Sequence, residues 1–450
     1  MSRTILCNAV IINDNRRFNG YVIIDGEFIA EVGEGDLPQS SILPGDTVEN
    51  LHEKYLLPGA IDDQVHFRDP GLTHKADIAT ESAAAVAGGV TSFMDMPNTM
   101  PQTVTIEALD AKHERASQVS AANYSFYIGA TNDNIDTLLQ CDYSRVPGVK
   151  LFLGASTGNM LVDNDKALHR IFSEVPALIA IHSEDEDIIR RNKETFKKQF
   201  AGKEIPVEAH PLIRSEEACF RSTARAVEMA SHFGTRLHIL HLSTAAETAL
   251  LSAGDISGKK ITAEVCAHHL WWSDKDYTRS GTRIKWNPAI KTEHDRTTLR
   301  QALNDGRIDV VATDHAPHLL TEKEGDALTA ASGAPLVQFS LPMMLELADN
   351  GVFSHETVVE KMAHAPARLF NIEKRGYIRK GFYADLTVVQ PGSDYTVTDS
   401  MVLSRCAWTP LDGTTLHNRV VSTYVNGKRV YHNGKVDHCN AGRPLIFSNI

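Results

Sequence analysis

The stretch Asp62-Asp63-Gln64-Val65-His66-Phe67-Arg68 places Gln64, His66 and Arg68 at i, i+2 and i+4. On a strand, that spacing turns an amide, an imidazole and a guanidinium to one face. A row of polar groups is costly in a core and useful in an active site. More such groups end apolar runs further along: Asn98 in MPNT, Lys150 in PGVKLFLGAS, His182 in IAIHSED, His241 in LHILHLST, and Asp314 with His318 in VVATDHAPH. Singly, a strand-end histidine reads as a packed core residue, a lysine as a solvated cation, and an aspartate as a helix N-cap. Together, imidazoles ending the first, fifth and sixth strand-like runs, a lysine within the fourth and an aspartate ending the eighth read as a metal site at one rim. His238 lies three residues from His241 and so faces the other way, which assigns it to packing. His268 and His269 read equally as neighbours of the site or as packing. His52, His74, His113, His417, His432 and His438 have no supporting context.

A lysine fits a metal site only in an altered form, because an ammonium repels a cation. A buried amine has a depressed pKa and can be neutral. A neutral amine adds carbon dioxide to give a carbamate, an anionic two-oxygen ligand able to bridge two metals about 3.5–4 Å apart. Lys150 lies within the apolar run VKLFL and is the candidate.

These residues need a scaffold that gathers strand ends. Eight strand-like runs alternate with helix-like segments: YLLPGAIDDQVHF, VTSFMDMP, YSFYIGAT, GVKLFLGA, ALIAIHS, RLHILHLS, KITAEVC and IDVVATDH. This rhythm predicts an α/β fold, a (β/α)8 TIM-like barrel whose chemistry lies at the C-terminal ends of its strands. The two chain ends are rich in short strands and turns, including Asn426-Gly427 and Asn433-Gly434, which are hairpin signals. We expect residues 1–55 and 378–450 to form one small β-sandwich beside a barrel at 56–377.

The bulk numbers narrow the class. With 450 residues, 42% of them hydrophobic, the chain can bury a large core. A net charge of -12 argues against nucleic acid, which wants a basic stripe. No apolar run is long enough to span a bilayer or serve as a signal peptide, so we expect a cytoplasmic protein with no membrane partner. The cysteines Cys7, Cys141, Cys219, Cys266, Cys406 and Cys439 form no C-x-x-C motif and read as reduced, packed thiols.

The motifs LPGAIDDQVHFRDPG, MPNT, GVKLFLGAST, IHSED, LHILHLST, TAEVCAHHL, KWNPAIKTEHDR and ATDHAPH resemble dihydroorotase, of the metal-dependent amidohydrolase superfamily. The resemblance covers residues 55–377 and reaches GYIRKGFYADLTVV and VVSTYVNGKRV near the C-terminus. It implies one or two zinc ions per chain, with His66 and Asp314 on one, His182 and His241 on the other, and a carbamylated Lys150 between them. It also implies substrate contacts from His66, Arg68, Asn98, Asn287, His318 and the backbone of Gly333. The implied reaction is the reversible cyclisation of N-carbamoyl-L-aspartate to L-dihydroorotate in pyrimidine biosynthesis, with zinc-activated water and Asp314 as proton shuttle. Homodimers or larger homo-oligomers are the family's habit. One position departs from the pattern, since Gln64 stands where the family carries a zinc-ligating histidine. An amide oxygen is a harder, weaker zinc ligand than imidazole, so Gln64 is expected to ligate weakly or not at all. Two rival readings stay open: a hydantoinase- or allantoinase-type cyclic amidase, and a non-catalytic scaffold that has lost its metals.

Overall fold

The computed structural model describes residues 3–154, 160–437 and 440–448. His438, Cys439 and part of the GVKLFLGAST motif lie outside the described residues. Apolar runs bounded by turns become parallel strands buried on both faces, as in a sheet covered by helices. A three-stranded sheet and a six-stranded sheet supply the staves of one barrel. The staves are Ala60–Val65, Val90–Asp95, a kinked stave of Asn123–Phe126 and Ile128–Gly129, then Val149–Phe152, Ile179–His182, Leu237–Ile239, Ile261–Cys266 and Val310–Ala312. Neighbouring staves pair in parallel. A parallel bridge between Val65 and His315 closes the ring, reinforced by the His66 N–H donating to the His315 carbonyl at 2.7 Å. Closure puts the ends of the first and last staves side by side.

The helices between staves start where the sequence offers an oxygen for their free N–H groups. Asp77, Thr105, Asn164, Asp185, Ser215 and Thr292 each cap a helix by side-chain hydrogen bond. After the sixth stave Ala246–Leu250 is only a 3-10 turn, because Thr244 and Glu247 bond each other locally at 2.7 Å and compete with a helical ladder. The helix Glu186–Phe200 follows the fifth stave; only Ile188 and Ile189 of it are buried, so its apolar pattern is faint.

The chain ends meet in one nine-stranded sheet. Thr4–Asn13 is its fork, pairing in parallel with Thr47–Asn50 through residues 4–7 and with Tyr55–Pro58 through residues 10–11. Tyr55–Pro58 pairs antiparallel with Leu386–Gln390, which joins the N-terminal strands to the C-terminal ones. Asn426-Gly427 and Asn433-Gly434 make the expected hairpin turns, all four residues at positive φ. Residues 440–448 return to the barrel, where Tyr124 exchanges backbone bonds with Arg443 and Leu445. Among the described residues no helix is long and apolar enough to cross a membrane. The five described cysteines are buried and free.

Sheet and barrel are locked by a buried polar knot. Asp385 pairs with Arg375 and accepts from Asn123 of the third stave at 3.1 Å and from the Asn426 N–H at 2.8 Å. Asn426 in turn donates to Asn123 at 2.7 Å. Removing one member strands the others without water. Asp385→Ala leaves the Arg375 guanidinium buried and unpaired, at a cost of about 3–5 kcal/mol. The urea midpoint should fall accordingly with an unchanged slope; a midpoint within error of the parent would show that the knot carries no net stability.

Candidate active site and metal centre

The staves end abruptly at the mouth of the barrel. Arg68, His241 and Asp314 sit there in the left-handed region, at φ 65°, 40° and 47°. Such backbone costs about 1–3 kcal/mol per residue and persists only where the surroundings impose it. All eleven residues singled out from the sequence, Gln64 to Gly333, line one cavity of about 310 Å³. Phe152, Ala316, Ala331 and Ser332 complete its wall and carried no signal in the sequence.

Two pairs of ligand atoms face each other inside it. His66 Nε2 lies 3.0 Å from Asp314 Oδ1, and His182 Nδ1 lies 3.0 Å from His241 Nε2. The outer nitrogens are engaged. His66 Nδ1 faces Asn98 Oδ1 at 2.8 Å, and His182 Nε2 faces Glu184 Oε2 at 2.9 Å. An acceptor at each outer nitrogen claims the ring proton there and leaves a lone pair aimed into the cavity. This is the arrangement of metal-ligating histidines, with the partner behind the ring fixing its tautomer. At the first pair a nitrogen lone pair then meets a carboxylate oxygen at 3.0 Å, a contact that is repulsive without a cation or proton between the two. The donor set therefore fits a metal.

The supports are themselves held. Glu184 is buried, which opposes its ionisation, but Arg214 and His182 outweigh this and hold its carboxyl down to about 2. Its signal was available, for Glu184 stands at i+2 from His182 and shares its face. His241 is pushed well below the imidazole range by burial, then by His182 and Lys150. Its N–H donates to Glu264 Oε1 at 2.9 Å. Lys150 is 1% exposed, with its ammonium nitrogen 4.6 Å from the centre of the Phe152 ring. Burial lowers its pKa to about 7, against the pull of Glu264 and Asp314. A neutral amine competent to take up carbon dioxide is thus accessible near neutrality.

Gln64 turns its Nε2 towards Asp314 Oδ1 at 3.4 Å and its Oε1 towards Cys266 Sγ at 3.9 Å. In this pose the amide offers Asp314 a donor and the cavity no ligand atom. Arg68, also in the cavity lining, is 7% exposed, with its Nε donating to the Pro317 carbonyl at 3.2 Å. Among the described residues no acidic side chain pairs with it. Asn287 Oδ1 is buried and lacks a partner. Gly333 takes φ 119°, and a Cβ there would fall 2.7 Å from Ala316, so only glycine fits. Its N–H donates to Lys285 and its carbonyl accepts from Lys323. A ligand contact from its backbone has only the remaining carbonyl lone pair to use.

The other histidines lie outside the cavity. His268 stacks on Trp286 at 4.2 Å, and His269 Nε2 faces the Pro288 carbonyl at 3.3 Å. His238 does more than pack. It lies buried 3.3 Å from Asp63 and 3.7 Å from Glu264. Burial opposes its charge, yet these carboxylates raise its pKa to about 9. The sequence shows no sign of this cluster, because its members come from three different staves.

A profile of the amidohydrolase family matches residues 55–430. A dihydroorotase from Halobacterium salinarum is 36% identical over 394 residues, covering 87% of this chain and 88% of that protein. An allantoinase from Bacillus velezensis is 33% identical and covers 84% of each. Among solved structures, the L-hydantoinase (dihydropyrimidinase) from Arthrobacter aurescens superposes with a TM-score of 0.93 at 26% identity, covering 99% of this chain and 100% of that one.

Two outcomes are expected of the metal centre. Gln64→His supplies an imidazole where the amide offers no ligand atom, and should tighten the first zinc position by more than about tenfold. Zinc titration of apo-enzyme reads this, and an unchanged isotherm would place Gln64 outside the metal's reach. Lys150 is protonated below a pKa of about 7 and neutral above it. The bicarbonate-dependent part of zinc uptake by apo-enzyme should therefore rise about tenfold from pH 6 to pH 8; a flat profile would remove the carbamate from the site.

Proposed function

The chain belongs to the amidohydrolase family, and from that premise we propose that it is a zinc-dependent dihydroorotase. The reaction is the reversible opening of a six-membered cyclic amide, dihydroorotate plus water giving N-carbamoyl-aspartate. One observation supports this substrate above the others. Arg68 is a buried guanidinium in the cavity wall with no carboxylate of its own among the described residues. A buried charge left unpaired is expensive, so its counter-ion belongs to the ligand. Dihydroorotate carries a ring carboxylate to meet it.

His66, Asp314, His182, His241 and the carbamate of Lys150 would hold the metals. When bound, these supply Lewis acidity, polarising the amide carbonyl and lowering the pKa of water. The chain's own groups do the rest. Arg68 grips the carboxylate with charge-assisted bonds, and Asn98, Asn287 and His318 orient the ring. Asp314 has Oδ1 engaged by His66 and Gln64, which leaves Oδ2 for proton transfer. In hydrolysis Oδ2 accepts a proton from the attacking water. As the carbon–nitrogen bond breaks, it gives that proton to the ring nitrogen. Ring closure runs the same path backwards and needs Asp314 protonated, so synthesis gains as pH falls.

The allantoinase relative and the hydantoinase structure support a second reading, a cyclic amidase for uncharged rings. Zinc content per chain, measured beside turnover of dihydroorotate and of an uncharged dihydropyrimidine, decides between them. A metal-free, inactive protein would be the scaffold. Loss of the guanidinium costs roughly 1.5–3 kcal/mol of charge-assisted bonding. Arg68→Met should therefore lose at least about tenfold in kcat/KM on dihydroorotate and little on the uncharged ring. Equal losses on both would remove Arg68 from the carboxylate.

A further inference from the structure

A second cation stands behind the lining residues Arg68 and His318. Lys75 Nζ lies 3.1 Å from His318 Nδ1, while an Arg68 terminal nitrogen lies 3.2 Å from His318 Nε2. Lys75 is ion-paired to Glu322 at 2.6 Å. One imidazole is therefore flanked by a donor at each nitrogen.

The ring cannot accept from both donors, and the Glu322 carboxylate oxygen 3.6 Å from Nδ1 lies beyond hydrogen-bond reach. Arginine and lysine ammonium groups only donate, and a neutral imidazole has one N–H and one lone pair. Protonating the ring would worsen the conflict, and burial, then Arg68 and Lys75, push its pKa well below the imidazole range. So one of the two flanking donors faces another N–H. Lys75 makes the shorter contact and its ion pair fixes it there. Arg68 has a second acceptor in the Pro317 carbonyl. The main chain at this residue is anchored, for Trp408 Nε1 donates to the His318 backbone carbonyl at 2.7 Å. The lone pair thus belongs at Nδ1, towards Lys75, and the proton at Nε2, towards Arg68 and the cavity.

We propose that Lys75 is a positioning residue for the substrate's anionic group: it holds His318 as the Nε2–H tautomer, so that His318 and Arg68 present two converging donors that an anion satisfies together. The inference rests on reading this cavity as the substrate site, and it extends that reading to a residue that touches no substrate. Two N–H groups forced together in the free enzyme repel, and a carboxylate placed against both removes the repulsion and gains two bonds. Part of the preference for a charged ring would then come from strain relieved on binding.

The test uses the full-length, zinc-loaded protein. Nitrogen-15 labelling of histidine reports the tautomer of each ring, and the signal lost in His318→Gln identifies position 318. The wild-type ring should carry its proton on Nε2, and Lys75→Met should shift it towards Nδ1. On dihydroorotate, Lys75→Met should raise KM by at least about tenfold, the worth of a lost charge-assisted bond, with the loss falling on KM more than on kcat. Lys75→Arg, which restores a cationic donor, should return the tautomer to Nε2–H. A wild-type ring protonated at Nδ1, or a Lys75→Met enzyme with unchanged KM, overturns the inference. If the wild-type protein turns over no dihydroorotate, the functional reading fails while the wild-type tautomer still decides this one. That measurement also stands if Lys75→Met does not fold.

Discussion

A nitrogen lone pair and a carboxylate oxygen cannot rest 3.0 Å apart in a buried cleft unless positive charge lies between them. His66 Nε2 and Asp314 Oδ1 are held at that distance. Much of the barrel's upper rim is arranged to keep them there. Ring closure between the first and last staves, through Val65, His66 and His315, fixes their backbones side by side. Asn98 commits the far nitrogen of His66, so the ring cannot turn away or supply a proton of its own. The His182–His241 pair repeats the device one third of the way round the rim, with Glu184 and Arg214 in the role of Asn98. Lys150 lines the same cavity, and its burial favours the neutral amine over the cation.

Holding groups in such positions works against stability. Three strand-end residues take left-handed backbone, at about 1–3 kcal/mol each, and Arg68 and Lys150 lie buried without nearby counter-charges bonded to them. The compensating structure lies away from the mouth. Staves buried on both faces and capped helices supply the bulk of it, and the Arg375–Asp385–Asn123–Asn426 knot ties the sheet of the two chain ends to the third stave.

What could be read in the sequence follows the range of the signal. Apolar runs at regular intervals and the two Asn-Gly turns act over a few residues, and the structure has them in place. The cavity-lining set was legible because a barrel collects strand ends by construction, so that Lys150 and Asp314 need no direct sequence link to share a wall. Glu184 was overlooked although its i+2 spacing from His182 was visible. Lys75 was not visible at all. It meets His318 across 243 residues, from a loop whose course no local pattern describes. The helix Glu186–Phe200 escaped for the opposite reason, since too little of it is buried to leave an apolar stripe.

Two sets of lining residues divide the work, which explains why overall likeness leaves the substrate open. His66, His182, His241, Lys150 and Asp314 offer ligand-type groups whose arrangement does not depend on the ring lying against them. A near-complete superposition on an L-hydantoinase therefore shows the fold without choosing the ring. Under the proposed function, choice of ring falls to Arg68 and His318 in the cavity lining, with Lys75 behind them paired to Glu322. Gln64 belongs to the first set but offers it no ligand atom in this pose. The amide is a donor to Asp314 Oδ1, the oxygen that faces a His66 nitrogen lone pair. The cavity is asymmetric as a result. One side pairs two imidazoles backed by Glu184 and Arg214, and the other pairs an imidazole with a carboxylate beside an amide.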